Sequence, residues 1–500
     1  MDKRPNIIFL QNDHQAHYRW DWNDEAKAKR PNFERVKAKG AVFNNTYCST
    51  PLCGPTRRSI LTGLYSHTHG QYHNYTDPPY EHEVYLNALA EAGYENYYFG
   101  KWHAGPGNAK DHNCKGFSET GYGNPYITEE YKEYLKKNNL PEAVHHIKKK
   151  FTLDDFEENG MFEKLQEGKD YQCKTFWCGE HAIGVTTTPK ETHESFFLAD
   201  LACDKLEELA KKDKDEPFAL RVDFWGPHQP HFPTQEYLDM YKDMQIPEYG
   251  SFNSKLKDKP KFYHTERSYP LGNNDKIKIP SPLDWKEWQD IIKHCFAHIS
   301  MVDAAGGKII DKLEELGMDD NTLLIWTTDH GDALTSHGGH FDKGSYLSEE
   351  VVRIPLAMSW PNKIPAGQER EEYISTVDLP VTILDAAGTQ FSKNKVHGES
   401  ILPLLIMENS TWRKDIISET HGHGYGQELI GRMIVYNNYK YIYNKGYIDE
   451  LYNLEKDPYE LNNLIKDKKY EKLIIDMRNR LEKWQEATDD PERITLEGGE

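Results

Sequence analysis

The stretch Leu323-Leu324-Ile325-Trp326-Thr327-Thr328-Asp329-His330-Gly331-Asp332 decides how this chain is read. An uncharged run runs without a break into two carboxylates and an imidazole. A run that short and that uniformly apolar reads as a strand buried on both faces, as in a parallel sheet covered by helices. Ile7–Gln11, Tyr94–Gly100, Phe218–Trp225 and Ile354–Trp360 have the same character, and all five are read as parallel strands. Between them, Ser195–Lys211 and Trp288–Leu316 carry apolar residues at helical spacing. The alternation predicts an α/β fold with a large, mostly parallel central sheet and helices on both faces. Such sheets place their sites beyond the carboxyl ends of the strands. Asn12-Asp13-His14, Lys101-Trp102-His103 and Gly226-Pro227-His228 follow three of the other runs, so four strand ends carry metal-ligand or acid–base residue types.

The rest of the composition narrows the function. Asp and Glu number 81 against 61 Lys and Arg in 500 residues, a net charge of −20, which argues against coating nucleic acid. With 37% hydrophobic residues the chain can bury a sizeable core, yet no apolar run approaches the roughly 20 residues that span a bilayer. No partner of nucleic acid or membrane is expected. The seven cysteines are odd in number and sparse, Cys173 and Cys178 do not make a zinc pair, and no apolar leader follows Met1, so a reducing, cytoplasmic setting is expected. From about residue 105 to 187 the chain turns Lys-, Glu- and Tyr-rich, which reads as an insertion over the sheet. Beyond about 405 the pattern changes again. Met433–Tyr436, Tyr439–Tyr443 and Leu451–Asn453 read as antiparallel strands and Tyr470–Ala487 as a closing helix. The expected organisation is a catalytic domain over 1–405 and a smaller α+β domain over 406–500.

The sharpest chemical signal is Cys53-Gly54-Pro55-Thr56-Arg57, followed by Leu61-Thr62-Gly63. A lone cysteine is usually a small buried hydrophobe. Here it resembles the signature of the type I sulfatases, in the alkaline phosphatase-like superfamily, whose Cys-x-Pro-x-Arg cysteine is oxidised after translation to formylglycine. Gly100-Lys101-Trp102-His103, Pro227-His228-Gln229-Pro230 and Thr328-Asp329-His330-Gly331-Asp332 with Lys343-Gly344 resemble that family's further motifs. Glu450-Leu451-Tyr452-Asn453-Leu454 and Asp457-Pro458-Tyr459-Glu460-Leu461 resemble its C-terminal domain. The motifs stand in family order over most of the chain, and together they imply an α/β/α sandwich with an antiparallel C-terminal sheet.

The resemblance implies a reaction and its residues. A sulfate ester is a poor electrophile ringed by negative oxygens, so cations must neutralise charge and a nucleophile must be activated. Hydrated formylglycine at position 53 offers two hydroxyls: one attacks sulfur and expels the alcohol, the other collapses to release sulfate and restore the aldehyde. Arg57 braces that residue, Lys101 and Lys343 bind sulfate oxygens, His103 handles the diol proton and His228 the leaving oxygen. Asp13, His14, Asp329 and His330 are the implied metal ligands for one divalent cation, Ca2+ first, with Mn2+ or Mg2+ as alternatives and zinc left open by the imidazoles. Family members often show Asp-Asp where this chain has Asp13-His14, so the fourth ligand is His14, Asn12 or neither. His67, His69 and His73 lack a partner at zinc spacing and read as packing.

A formylglycine-generating or anaerobic sulfatase-maturing enzyme is the implied partner. A phosphonate or phosphate monoester hydrolase of the same superfamily is the competing reading, and a non-catalytic metal-binding homologue the remote one. Abundant Tyr, Trp and His suit sugar faces, so a sulfated saccharide is preferred over another sulfated small molecule. Trp177, Glu180 and His181 with His421, His423 and Tyr425 are expected to shape its pocket.

Overall fold

In the computed structural model, eight strands form the central sheet: β1 (Asn6–Asn12), β2 (Ala41–Tyr47), β3 (Glu95–Lys101), β4 (Cys114–Glu119), β5 (Phe218–Asp223), β6 (Thr322–Thr328), β7 (Arg353–Ser359) and β8 (Gln368–Ser375). The structure describes residues 4–17, 26–119, 124–150, 165–175, 178, 182–212, 216–264, 272–273, 276–277, 283–344, 346–407, 410–423 and 429–494. Trp177, Glu180, His181 and Tyr425 lie outside them. The spatial order is β8-β2-β7-β6-β1-β5-β3-β4, and every neighbour pair is parallel except the two made by β7. The reading of Ile354–Trp360 as a parallel strand is therefore corrected. A parallel neighbour needs a crossover that carries the chain back to the opposite end of the sheet. Here Gly331 N and Asp332 N donate to Val351 O and Glu350 O, so the chain is back at the carboxyl end of β6 when β7 starts. The segment read as an insertion also contributes a strand: β4 closes the sheet edge beside β3. Its alternation is broken by exposed Lys115 and Gly116, as an edge allows.

The pleat sorts the apolar residues to the two faces. Ile8, Leu10, Leu220, Val222, Leu324 and Trp326 pack on one side against α1 (Pro31–Lys39), α3 (Glu194–Leu209) and α4 (Trp285–Glu315). Ile7, Phe9, Ala219, Leu323 and Ile325 pack on the other, where α2 (Cys53–Thr62) contributes Ile60 and Leu61. A fully buried side chain such as Phe197 of α3 contributes roughly 1.5–3 kcal/mol. The long helix α4 starts three residues before the predicted Trp288. Asp284 Oδ1 accepts from Glu287 N at 2.8 Å and Glu287 Oε2 accepts from Asp284 N at 3.0 Å, a reciprocal cap.

Register fixes where the site forms. β1 pairs Asn12 with Thr328 of β6 and Gln11 with Asp223 of β5, and β3 pairs Gly100 with Asp223. Asp13, Asp329, Asp223 and Lys101 are thus brought side by side at one edge. Gly100, at φ 116°, permits this approach, since a Cβ there would lie 2.0 Å from Asp223 O.

Four antiparallel strands, β9 (Asp415–His421), β10 (Ile430–Tyr436), β11 (Tyr439–Asn444) and β12 (Glu450–Asn453), form a second sheet with α5 (Glu471–Ala487) against it. Asn437 and Asn438, both at positive φ, make the two-residue turn between β10 and β11. This sheet grips the catalytic frame. Ser418 Oγ donates to Cys48 O at 2.6 Å and Glu419 N to Ser49 O at 2.9 Å. His67 Nδ1 lies 2.7 Å from Glu419 Oε2, and Arg432 binds Asp490 at 2.7 and 2.9 Å. His69 meets Ser59 instead and His73 N donates to Thr76, so the three histidines do not converge.

The His67–Glu419 pair has a two-sided pH signature. Burial opposes the charge on both, but each holds the other: Glu419 falls well below its ordinary value and His67 rises. Glu419 contributes stability fully above its unfolded pKa of roughly 4.3 and loses it as pH falls through the lower folded value. His67 contributes fully below roughly 6.5 and loses it as pH rises through its higher folded value. Glu419→Gln is expected to cost about 3 kcal/mol between those limits and to flatten the acid limb, read by urea unfolding at a series of pH values.

Candidate functional site

The loop after β2 delivers Cys53 as the first residue of α2, with extended Leu52 before it and Gly63 closing the helix in a left-handed turn. The helix N-terminus points positive charge at this position. Cys53 Sγ lies 3.0 Å from His330 Nε2 and 3.7 Å from Asp13 Oδ1. One turn later Arg57 reaches into the same cluster. Its Nε donates to Asp329 Oδ2 at 2.8 Å, and Nη1 to Asp223 Oδ2 at 2.9 Å and Lys101 O at 3.1 Å. Asp13 Oδ2 is 3.9 Å from Nη2, and Lys101 Nζ pairs with that carboxylate. All of these side chains are buried. Asp329 Oδ1 accepts from His14 N at 3.1 Å and His330 N at 2.9 Å, which ties the ends of β1 and β6 together.

A second group adjoins the first. Lys343 Nζ lies 3.3 Å from His228 Nε2 and 3.1 Å from Asp342 Oδ1. His14 Nε2 lies 3.3 Å from Asp342 Oδ1 and 3.6 Å from Asp332 Oδ1, with its ring 4.8 Å from that of His228 and 4.9 Å from that of His330. Asp13, Asp329, His330 and Cys53 thus converge, while His14 faces the His228–Asp342 side of the site. Asn12, the alternative to His14, is engaged elsewhere: it donates to Gln15 at 2.6 Å and accepts from Trp326 Nε1 at 3.1 Å. His14 and His103 both hold left-handed backbone, at φ 65° and 47°, which non-glycine residues adopt at a cost. The His103 carbonyl lies against Gly54. Trp102 is core, stacked on His112.

Electrostatics follow from the crowding. Burial would raise the Asp13 carboxyl, but Lys101 and Arg57 hold it well below the carboxylate range. Burial, then Asp13, pushes the Cys53 thiol up to about 11. Burial and the neighbouring ammonium groups of Lys101 and Lys343 keep His103 and His228 well below the ordinary imidazole value. Burial opposes the Lys343 charge, yet Asp342 holds its pKa well above normal. The arrangement sets a buried nucleophile position between two carboxylates and an imidazole, under two ammonium groups, with neutral imidazoles at hand for proton transfer.

Asp223, Asp342 and Arg221 are missing from the motif reading. Asp223 accepts from Arg57, from Tyr98 at 2.7 Å and from Arg221, inside a strand with every residue buried. A charged pair within the apolar Phe218–Trp225 run was the available signal. A cleft of about 560 Å³ opens from Asp13, Lys101 and His228 along Trp225, Gln229 and Phe232. His421 and His423 are not among the residues that line it: His423 is pushed down to about 4 by burial, near Asp342 and Lys343, while the His421 ring lies 4.5 Å from Tyr72.

A family model described as Sulfatase matches residues 5–389, and one described as N-sulphoglucosamine sulphohydrolase, C-terminal, matches 336–487. The N-acetylglucosamine-6-O-sulfatase of Bacteroides thetaiotaomicron is 27% identical over 98% of this chain and 87% of its own length. The solved complex of a protein with its substrate D-glucosamine-2-N,6-O-disulfate aligns with a TM-score of 0.72 at 22% identity, covering 98% of this chain and 99% of that one. A phosphonate monoester hydrolase of Silicibacter pomeroyi aligns at 0.75 and 19%, covering 99% and 98%. At such identities these two likenesses speak for the fold, an alkaline phosphatase-like α/β/α sandwich.

Arg57→Gln is expected to destabilise the protein by about 3–5 kcal/mol, since Asp13, Asp223 and Asp329 are left with uncompensated buried charge. Arg57→Lys keeps the charge but loses the planar fork, and is expected to recover less than half of that loss in urea unfolding.

Proposed function

The chain belongs to the sulfatase family and is a sulfuric ester hydrolase, and from that premise we propose that it cleaves a carbohydrate sulfate monoester with Cys53 oxidised to formylglycine and one divalent cation beside it. The observation that carries the reading is the placement of Cys53 at a helix N-terminus, within reach of Asp13 and His330, with Arg57 one turn below. Asp13, Asp329, His330 and Cys53 each offer a donor atom, all within 4.8 Å of one another and buried. Two carboxylates make that set fit a hard divalent cation, Ca2+ first, with Mn2+ or Mg2+ as alternatives. When bound, the cation supplies positive charge that activates the nucleophile and offsets charge on the sulfate.

The chain's own residues divide the remaining work. Lys101 and Lys343 draw the anion in and hold its oxygens. Neutral His103 is suited to take the proton of the attacking hydroxyl of the hydrated aldehyde. That oxygen bonds to sulfur as the bond from sulfur to the alcohol oxygen breaks, and the leaving oxygen takes a proton from the Lys343–His228 pair. The second hydroxyl then loses its proton, the C=O bond re-forms and the C–O bond to sulfate breaks. A sugar substrate is supported by the relative that is an N-acetylglucosamine-6-O-sulfatase and by the aromatic cleft wall. A maturation enzyme reading Cys53-x-Pro55-x-Arg57 is the implied partner, and the odd, sparse set of seven cysteines supports a reducing, cytoplasmic setting. Among the described residues, no helix is long and apolar enough to cross a membrane.

Mass spectrometry of the Cys53 peptide from active protein is expected to show loss of the thiol sulfur, and full activity with unmodified cysteine would overturn the mechanism. Asp329→Ala is expected to abolish turnover and lower bound metal. An aryl sulfate is expected to exceed the matching phosphate or phosphonate ester in kcat/KM by at least about 100-fold, roughly 2.7 kcal/mol, and the reverse order would favour a phosphonate hydrolase.

A further inference from the structure

Beside Asp13, Lys101 and His228, the same cleft is lined by a group that the reaction does not use. Glu194, the first residue of α3, and His298, from the middle of α4, stand within ligand distance of each other and of His193. Glu194 Oε2 accepts from Tyr126 Oη at 2.6 Å and lies 2.8 Å from His193 Nδ1. Oε1 has only distant company, Ser195 Oγ at 3.4 Å and His298 Nε2 at 3.8 Å. Among the described residues neither nitrogen of His298 has a hydrogen-bond partner, although the residue is 2% exposed. The Trp225 indole N–H and both ends of the Gln229 amide, also on the cleft wall, are unpartnered as well. Buried polar groups left unpaired in this way cost free energy unless a ligand satisfies them.

The group is joined to the reacting centre by one peptide. Gly226 O accepts from Asp13 N at 3.1 Å, while a Cβ on Gly226 would lie 2.6 Å from His298 Nε2. His228 follows two residues later. A molecule whose sulfate meets Lys101 therefore extends within the same cleft towards Glu194 and His298.

We propose that Glu194 and His298 form a recognition subsite that binds hydroxyl groups of the substrate's sugar ring and turns away a second anionic group. This rests on the sulfatase reading above. The chemistry is that of an uncharged polyol. A carboxylate oxygen accepts from hydroxyls, a neutral imidazole both donates and accepts, and the Trp225 and Phe232 faces suit the apolar face of a pyranose. Burial opposes the Glu194 charge, but His193, 2.8 Å away, holds its carboxyl well below the usual range, so it is ionised. Burial also lowers His298, which leaves it uncharged. A sulfate or carboxylate on the substrate at that point would face a fixed negative charge, and Lys101, at the reacting end, is the one Lys or Arg among the described residues that line the cleft.

The test compares kcat/KM on a panel of neutral pyranose monosulfates with that on 4-nitrophenyl sulfate, for the wild type, Glu194→Gln and His298→Phe. Each variant is expected to lower the sugar-to-aryl ratio at least thirtyfold, mainly through KM. Glu194→Gln is also expected to narrow the wild type's preference for neutral sugar sulfates over uronate-bearing ones. Equal losses on both ester types would show a structural role and overturn the proposal, as would an unchanged ratio. Loss of one equivalent of bound divalent metal in Glu194→Gln would replace it with a second cation site. A wild type inactive on every sulfate ester would instead overturn the parent reading, and this one with it.

Discussion

One guanidinium holds the site together. Arg57 stands where β1, β5 and β6 end, and each of those strands delivers a carboxylate to it: Asp13, Asp223 and Asp329. Three buried carboxylates at neighbouring strand ends would repel one another and shift towards their neutral forms. Arg57 answers two of them with hydrogen bonds from a single planar fork and adds its charge to the third, while Lys101 completes Asp13. Because Arg57 lies one helical turn from Cys53, the contact that keeps the strand ends compatible also fixes the position of Cys53, the proposed nucleophile. Stability and chemistry here share the same side chain.

The second sheet contributes in the same way from outside. The segment leading into Cys53 is gripped from two directions, by Val352 O on Cys48 N and by Ser418 and Glu419 of β9 on Cys48 O and Ser49 O. A loop with those three anchors cannot drift, so the start of α2 is set by the smaller sheet as much as by the larger one. The C-terminal strands therefore act as a buttress for the catalytic loop.

How much of this was legible depends on the kind of signal. Strand ends that combine apolar runs with Asp13, Lys101, His228 and Asp329 were readable because burial on both faces keeps most of each strand apolar. β2, with Asn44 and Asn45 at its centre, and β8, with alternating charges at the sheet edge, carry no such pattern and went unread. The direction of β7 was invisible for another reason: residue type reports burial, whereas orientation depends on where the preceding loop leaves the chain. Asp223 was hidden within a run read only for its apolar character. His14 shows the limit most clearly, since the motif places it beside Asp13 but the backbone at φ 65° turns its ring towards Asp342.

Cys53 is 0% exposed, walled in by Asp13, Arg57 and His330. An enzyme that oxidises it must seat the whole Cys53-to-Arg57 segment in its own active site, and in the folded chain Arg57 is locked among three strand ends. On the proposed maturation, modification and folding would therefore compete for the same five residues. Arrival of β6 with Asp329 would close that window, and that strand lies about 270 residues further along the chain. During synthesis at about 5–20 residues per second the delay amounts to tens of seconds at the slower end of that range. If Cys53 is matured as proposed, the long separation between it and its partners would act as a timer, keeping the cysteine reachable until the ribosome has made the strand that buries it.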